Sequence, residues 1–207
     1  VVRIGDPVTF ELKFQPLRRN LACSVAMDDK VGLWVVLEAF RRAVAAGPLP
    51  CALYVASTVQ EEIGLRGAQT SCYGVDPHVA IAVDVTHATD IPNCTKTKHG
   101  DVRMGNGPVI SIGSANHPVV NARLREVGKK AGIPLQVEVN PIRTGTDADA
   151  IFKQKGGIPT VSIGVPNRYM HSPVEMIQYS DLEQTAELLA AFALDCAKGE
   201  RFGVKVR

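Results

Sequence analysis

Two adjacent carboxylates, Glu61 and Glu62, stand directly after an apolar stretch at residues 51–59 that is rich in β-branched side chains. This stretch, bounded by Pro48 and Pro50, predicts a buried strand. Charges at the end of a buried strand are costly unless something compensates them, and a metal ion can do so. Because neighbouring residues of an extended chain point in opposite directions, one carboxylate can bind a metal while the other acts as a general base. The pair therefore predicts a metallohydrolase.

Further side chains of the kinds that bind Zn²⁺, Co²⁺ or Mn²⁺ come after other apolar stretches. The carboxylates among them are Asp28, Asp29 and Asp84, and the imidazole is His171. A carboxylate that bridges two ions roughly 3.5–4 Å apart lets both ions hold one water and polarise a carbonyl. No cysteine stands among these residues, which argues against a structural Cys₄ zinc site.

The segments that must position these side chains alternate between strands and helices, three of which have more than ten residues, and this alternation is typical of an α/β fold. The sequence predicts strands at residues 8–14, 51–59, 78–83, 108–112, 135–139 and 158–165. It predicts helices at residues 31–46, 65–73, 119–131, 147–154 and 182–197. We therefore expect a three-layer α/β/α sandwich around a largely parallel (mixed) sheet, in which sites form beyond the carboxyl ends of the strands.

The composition excludes several classes of protein. The 207 residues carry a formal net charge of +2 with both signs interspersed, which excludes a nucleic-acid footprint or a membrane-binding face. No apolar run approaches the length of a membrane span, and the first residues do not resemble a signal peptide. The five cysteines lack any C-x-x-C spacing, which predicts reduced thiols in a cytoplasmic protein.

Five motifs together resemble the tetrahedral (TET) aminopeptidases, a family of cytosolic dinuclear metallopeptidases with deblocking, glutamyl and leucyl aminopeptidases among its members. The motifs are D-D-K-V-G at 28–32, Q-E-E-I-G-L-R-G at 60–67, A-V-D-V-T-H at 82–87, G-T-D-A at 145–148 and R-Y-M-H-S-P-V-E at 168–175. Each motif is modest by itself, but all five occur in the family's order across nearly the whole chain. The resemblance implies a zinc-peptidase-like catalytic domain.

The resemblance also implies a role for each candidate side chain of the metal centre. Asp28 would bridge two divalent ions, Zn²⁺ or Co²⁺. Glu62 and Asp84 would each bind one of these ions, and His171 would join the ion that Glu62 binds. Glu61 would be the general base that takes a proton from a metal-bridging water and later protonates the leaving amine.

Further residues are expected around this centre. Asp29 and His87 would form hydrogen bonds near the ligands without binding the ions themselves. Arg168 and Tyr169, which stand beside the imidazole ligand, are candidates for lining the substrate pocket. Asp147 is a third candidate for substrate contact, although a carboxylate at its position also predicts a helix cap.

The first residues depart from the family pattern. The family carries another His ligand in an H-x-D motif before the bridging Asp, whereas no His precedes Asp28, and the H-G-D at residues 99–101 lies in a later polar loop. Residues 1–20 resemble the end of a β-rich dimerisation domain, residues 21–200 the catalytic domain, and residues 201–207 a tail. We therefore expect an N-terminally incomplete sequence in which one metal lacks its imidazole.

The predicted function is that of a metal-dependent aminopeptidase, which releases N-terminal residues from peptides through a metal-bridged hydroxide. A related metal-dependent carboxypeptidase or deacylase stays open, as does an inactive fragment or binding module. Taken alone, Glu61 and Glu62 are also compatible with first-turn carboxylates that stabilise a helix N-terminus. The family assembles from dimers into twelve-subunit shells, which implies a homo-oligomer with peptide substrates and without nucleic-acid or membrane partners.

Overall fold

Strands and helices alternate along most of the chain, as an α/β fold requires. The computed structural model describes residues 1–203. Its strands are β1 (Gln15–Leu17), β2 (Leu21–Ser24), β3 (Ala80–His87), β4 (Val109–Gly113), β5 (Gln136–Asn140), β6 (Thr160–Asn167) and β7 (Glu175–Gln178). Its helices are α1 (Met27–Ala45), α2 (Arg66–Val75), α3 (Lys96–His99), α4 (Pro118–Ala131), α5 (Ala148–Ile151) and α6 (Tyr179–Asp195). Residues 204–207 of the expected tail lie outside the described residues.

Four strands form the central sheet in the order β3-β6-β4-β5. β3 is parallel to β6, β4 is parallel to β5, and β4 is antiparallel to β6. A smaller antiparallel sheet contains β1, β2 and β7. The predicted α/β class with a mixed sheet is therefore confirmed. No helix within residues 1–203 is long and apolar enough to cross a membrane.

The two faces of the central sheet differ in polarity. On one face β6 presents Val161, Ile163 and Val165, each 0% exposed, to a core formed with α1, α4 and α6. Full burial of such a side chain contributes about 1.5–3 kcal/mol. On the other face Ser162 accepts a hydrogen bond from Thr146, just before α5, and α2 packs on α5. Helices therefore cover both faces, as the predicted three-layer sandwich requires.

Helix ends follow local signals that the sequence carries. α4 begins with Pro118 in its first turn, where a missing N–H costs nothing, and it is capped after Ala131 by Gly132, whose φ of 69° suits glycine. α5 ends at Ile151, three residues before its predicted end. The short strand β7 and the single turn α3 were not predicted, because four-residue elements are too short to show a periodicity.

Two predicted strands are wrong. Residues 8–14 belong to no strand, and their apolar side chains are exposed, Phe10 at 69%. Residues 51–59 also belong to no strand, although residues 51–56 alternate between half-buried and exposed side chains. Such alternation is a local property of the sequence, whereas a strand also requires a neighbouring backbone to pair with. Neither segment pairs with a strand among residues 1–203.

Candidate metal centre

Side chains from four separate parts of the chain meet near the carboxyl end of β3. Ligand atoms of Asp28, Glu62 and His171 lie within 4.8 Å of one another, and those of Asp28, Asp29 and Asp84 form a second such group. His171 Nε2 lies 2.9 Å from Asp28 Oδ2 and 3.4 Å from Glu62 Oε2. The two groups share Asp28, so the arrangement offers two adjoining sets of metal ligands.

The start of α1 positions Asp28 and Asp29. Both residues have non-helical backbone angles, and the peptide bond between them is cis. Asp29 Oδ1 accepts the backbone N–H of Gly32 at 2.8 Å, which satisfies one of the free donors in the first helical turn. A Cβ at Gly32 would lie 2.2 Å from Asp29 Oδ2. The glycine of the D-D-x-x-G motif therefore makes room for the carboxylate beside Asp28.

A tight turn before α2 presents Glu61 and Glu62. Its first residue, Gln60, has a φ of 60°, a left-handed conformation that non-glycine residues adopt mainly where the surroundings enforce it. The Gly67 N–H donates to the carbonyl of Val59 at 2.9 Å. A Cβ at Gly67 would lie 2.3 Å from the Val59 nitrogen, so only glycine allows α2 to close against this segment.

A short hairpin presents His171. Arg168 and Met176 exchange two backbone hydrogen bonds of 2.9 and 3.0 Å, which close the loop around the histidine. The guanidinium of Arg168 donates to the Asp90 carboxylate at 2.8 and 2.6 Å, which anchors the hairpin just beyond β3. His171 itself has a φ of 60°, and its side chain is 63% exposed. The imidazole is therefore held by the loop while remaining accessible from solvent.

Glu175 is a site residue that the sequence patterns did not single out. Its carboxylate accepts the backbone N–H of Asp28 at 2.9 Å and that of His171 at 2.8 Å, and the residue is only 2% exposed. The pairing of β7 with β2 sets Glu175 opposite Ser24, shortly before Asp28. The only sequence signal was its place in the H-S-P-V-E motif, because the contact with Asp28 depends on pairing between distant strands.

Asp147, His87 and Tyr169, the other residues predicted around the centre, differ in their contacts and burial. Asp147 accepts the hydroxyl of Thr58 at 2.5 Å, while its other carboxylate oxygen is buried without a hydrogen-bond partner among the described residues. His87 lies exposed at the end of β3, and Tyr169 is exposed in the hairpin. No described hydrogen bond joins either of them to the ligand groups. The charge of Asp147, in contrast, raises the pKa values of Glu61 and Asp84, so Asp147 lies beside the cluster.

Burial raises the pKa values of the clustered carboxyl groups. The pKa of Asp28 is raised to about 6, that of Glu61 to about 7, that of Asp84 to about 8 and that of Asp29 to about 9. Repulsion between neighbouring carboxylates adds to this effect. A divalent cation would offset both costs by facing the ionised groups. Carboxylates with one imidazole form a donor set that fits Zn²⁺ or Co²⁺.

Several known proteins that are similar to this chain are named aminopeptidases. The sequence model of a family described as M42 glutamyl aminopeptidase matches residues 1–188. A lysyl aminopeptidase of Pyrococcus furiosus is 38% identical over 191 residues, which cover 91% of this chain and 53% of that protein. The chain therefore spans about half the length of the curated relatives it matches.

Two solved structures show the same fold. A TET aminopeptidase from a marine sediment archaeon of the Thaumarchaeota has a TM-score of 0.88 and 34% identity, over 95% of this chain and 55% of that chain. The TET1 peptidase of Pyrococcus horikoshii, described as assembling into a tetrahedron or a large octahedral shell, has a TM-score of 0.77 and 30% identity. That match covers 90% of this chain and 54% of the other.

Proposed function

This chain belongs to the M42 family of glutamyl aminopeptidases, and from that premise we propose that it carries most of the metal centre of a metal-dependent aminopeptidase. The substrates would be peptides, from which the enzyme releases N-terminal residues. The observation that carries the proposal is the pair of ligand groups that share Asp28, with Glu61 beside them but in neither group. That arrangement supplies ligands and a separate base, as hydrolysis requires.

The metal-binding roles follow from the two groups. Asp28, Glu62 and His171 would hold one divalent cation, Zn²⁺ or Co²⁺, and Asp28 with Asp84 would hold a second. When bound, such ions lower the pKa of a water molecule and polarise a peptide carbonyl. Asp29 would keep accepting the hydrogen bond from the Gly32 N–H, and this bond keeps the start of α1 in the conformation that presents Asp28.

Glu61 is the group that would move the proton. Burial and then the charge of Asp147 raise its pKa to about 7, near the range in which a carboxyl both accepts and donates a proton at neutral pH. Glu61 would take a proton from the attacking water. It would then deliver this proton to the amine nitrogen that leaves when the peptide bond breaks.

The substitution Glu61→Gln tests this role, with Glu126→Gln on the exposed side of α4 as its matched control. The glutamine keeps the size of the side chain but cannot take a proton. In the full-length holoenzyme we expect unchanged metal content, measured by elemental analysis, and a kcat for aminoacyl anilides lowered by about 10²–10⁴-fold. Full activity would exclude Glu61 as the base, and loss of metal would instead make it a ligand.

A substrate panel tests the reaction class. Aminoacyl anilides and peptides with a free N-terminus should be hydrolysed, whereas N-acyl amino acids should not. Hydrolysis of the N-acyl compounds alone would show that the enzyme is a deacylase. Release of residues from the C-terminus would show that it is a carboxypeptidase. No turnover by a metal-loaded full-length protein would favour a binding module.

Assembly and location are part of the same proposal. The tetrahedral or octahedral shell formed by the similar TET1 peptidase supports a homo-oligomer for the protein that contains this chain. We also propose a cytoplasmic location, because the sequence predicts reduced cysteines. Light scattering of the full-length protein tests the assembly. A measured mass equal to that of one subunit would contradict the proposed homo-oligomer.

A further inference from the structure

Two cysteines that are far apart in sequence, Cys51 and Cys196, come together at the C-terminal end of α6. The Sγ atom of Cys51 lies 3.9 Å from the carbonyl oxygen of Ala193, a buried residue in the last turn of that helix. Cys196 caps α6 and stands three residues after Ala193. Residues three positions apart along a helix are neighbours, with Cβ atoms about 5–6 Å apart. The sulfur of Cys51 therefore lies within about one helical turn of Cys196.

The ionisation of Cys196 is a second indication that the two sulfurs are neighbours. Burial raises the pKa of the Cys196 thiol to about 12, and the charge of Cys51 is the next largest cause, ahead of Glu200 and Arg123. Interactions between charges weaken with distance, so a large effect indicates proximity. The pKa of Cys72, in contrast, is raised by burial and by a carboxylate, without a contribution from another thiol.

Apolar packing holds the segment that carries Cys51 against α6. Leu49 and Leu53, on either side of Cys51, pack on a small buried cluster that contains Ala190 and Ala193 of the helix. Because a leucine lies on each side of the thiol, Cys51 cannot leave this end of α6 without exposing apolar surface to water.

Polar contacts hold the end of α6 that carries Cys196. Arg123 of α4 forms ion pairs with Asp195 at 2.6 Å and with Glu200 at 3.8 Å. The Glu200 carboxylate also accepts the backbone N–H of Ala197 at 2.8 Å. The two thiols therefore belong to segments that separate contacts hold in place, and these segments meet at the end of α6.

We infer that Cys51 and Cys196 form a redox site, which closes to an intramolecular disulfide by exchange with a small disulfide such as oxidised glutathione. The Cys51 thiolate attacks this disulfide, and one glutathione leaves as its thiolate. The Cys196 sulfur then gives up its proton and attacks the Cys51 sulfur of the mixed disulfide, which releases the second glutathione. Two electrons and two protons thus pass from the protein to the glutathione disulfide, which ends as two molecules of glutathione.

The raised pKa of Cys196 gives the order of these two steps. Cys196 is a protonated thiol at neutral pH, and the thiolate is the form that attacks a disulfide, so Cys51 reacts first. The finished disulfide joins α6 to the start of the segment at residues 51–59, whose other end leads to Glu61 and Glu62. A pair that oxidises only when glutathione disulfide accumulates is compatible with the reduced thiols of a cytoplasmic protein.

Peptide mapping of the folded full-length protein in glutathione buffers tests the inference. Mass spectrometry should find the peptides of Cys51 and Cys196 joined, with the loss of two hydrogen atoms. The ratio of reduced to oxidised glutathione at half oxidation gives the effective concentration of one thiol for the other. This concentration should be at least about 100-fold higher in the folded protein than in urea, because folding brings the two residues together.

Two serine variants separate pairing of the thiols from general thiol reactivity. In Cys196→Ser, oxidation should stop at the mixed disulfide, so that Cys51 keeps one glutathione. Cys94→Ser, in the loop between β3 and β4, replaces a thiol that is half-buried like Cys196 and is the matched control. This control should leave the disulfide between Cys51 and Cys196 intact.

Three results would overturn the inference. The first is an effective concentration that is the same in the folded protein and in urea. The second is a disulfide that joins Cys51 to a different cysteine. The third is a protein in which both thiols stay free in fully oxidised glutathione. None of these measurements involves hydrolysis, so their outcome is independent of the proposed activity. If Cys196→Ser does not fold, the mapping and the effective concentration of the unchanged protein still decide.

Discussion

At the scale of single residues, the candidate centre depends on side chains that are not ligands. Glu175 holds the backbone of Asp28 and that of His171 through one buried carboxylate. These two residues enter the same ligand group from segments that are far apart in sequence. A carboxylate that binds both backbones therefore sets the distance between two ligands, and its loss should affect both folding and metal affinity.

Glu175→Ala should lower the free energy of unfolding by about 2–4 kcal/mol, because it leaves two partly buried N–H groups without an acceptor. Glu175→Gln should lower the free energy of unfolding by less, since the amide oxygen still accepts one of these hydrogen bonds. Urea unfolding measures stability, and calorimetric titration with Zn²⁺ measures affinity. Glu187→Ala, at an exposed position on α6, is the control and should stay within about 0.5 kcal/mol. Equal stability of Glu175→Ala and this control would reject the positioning role.

The raised pKa values predict how stability depends on pH without metal. Asp28, Asp29, Asp84 and Glu61 bind a proton more tightly in the folded chain than in the unfolded chain. Their contribution to stability is complete below about pH 4 and is lost as pH rises through the folded pKa values, about 6 to 9. Between about pH 4 and its own folded pKa, each group lowers the free energy of unfolding by up to about 1.4 kcal/mol per pH unit.

Urea unfolding in EDTA at pH 5, 7 and 9 should therefore show stability that falls with rising pH. Saturating Zn²⁺ should remove this fall, because the metal binds the ionised carboxylates and favours the folded state. A metal-free chain whose stability rises between pH 5 and 9 would show that the carboxyl groups are not buried together as described.

At the scale of elements, glycines let backbone segments approach closely enough to present the candidate ligands. Gly67→Ala should be destabilising by about 1–3 kcal/mol, because its Cβ would collide with the Val59 backbone and displace the turn that carries Glu61 and Glu62. Gly74→Ala, in the same helix with no atom within 4 Å of the new Cβ, should instead stabilise by about 0.5–1 kcal/mol.

Thermal unfolding of the two glycine variants, with activity of the full-length holoenzyme, measures this contrast. Loss of activity should accompany Gly67→Ala only. If both variants were stabilising, α2 would not lie against residues 51–59 as closely as the structure shows.

At the scale of the whole molecule, α1 is apolar on two opposite sides. One side is buried against β3 and α6, and it includes Val31, Val35, Ala39 and Ala43. The other side carries exposed large side chains at a spacing of four, three and four residues: Leu33, Leu37, Phe40 and Val44. Contiguous exposed apolar surface favours association, so the isolated chain should tend to self-associate.

Leu37→Glu should reduce this self-association and leave the Tm almost unchanged, because the side chain it replaces is exposed. Val35→Glu is the matched comparison on the buried side, where an unpaired charge should cost more than about 4 kcal/mol and unfold the chain. Light scattering and thermal unfolding measure the two effects. A Tm for Leu37→Glu as low as that of Val35→Glu would mean that the outer side of α1 is packed.

The sequence by itself determined the α/β class, the main helices and the residue types of the candidate metal centre, because periodicity, caps and motif spacing are local properties. The tertiary structure decided which segments pair, so residues 51–59 have the pattern of a strand but no partner among residues 1–203. It also decided the contact of Glu175 with Asp28, which joins residues 147 positions apart, and the place of Asp147 beside Glu61. These features depend on which distant backbones and charges become neighbours, and no local pattern in a sequence records that.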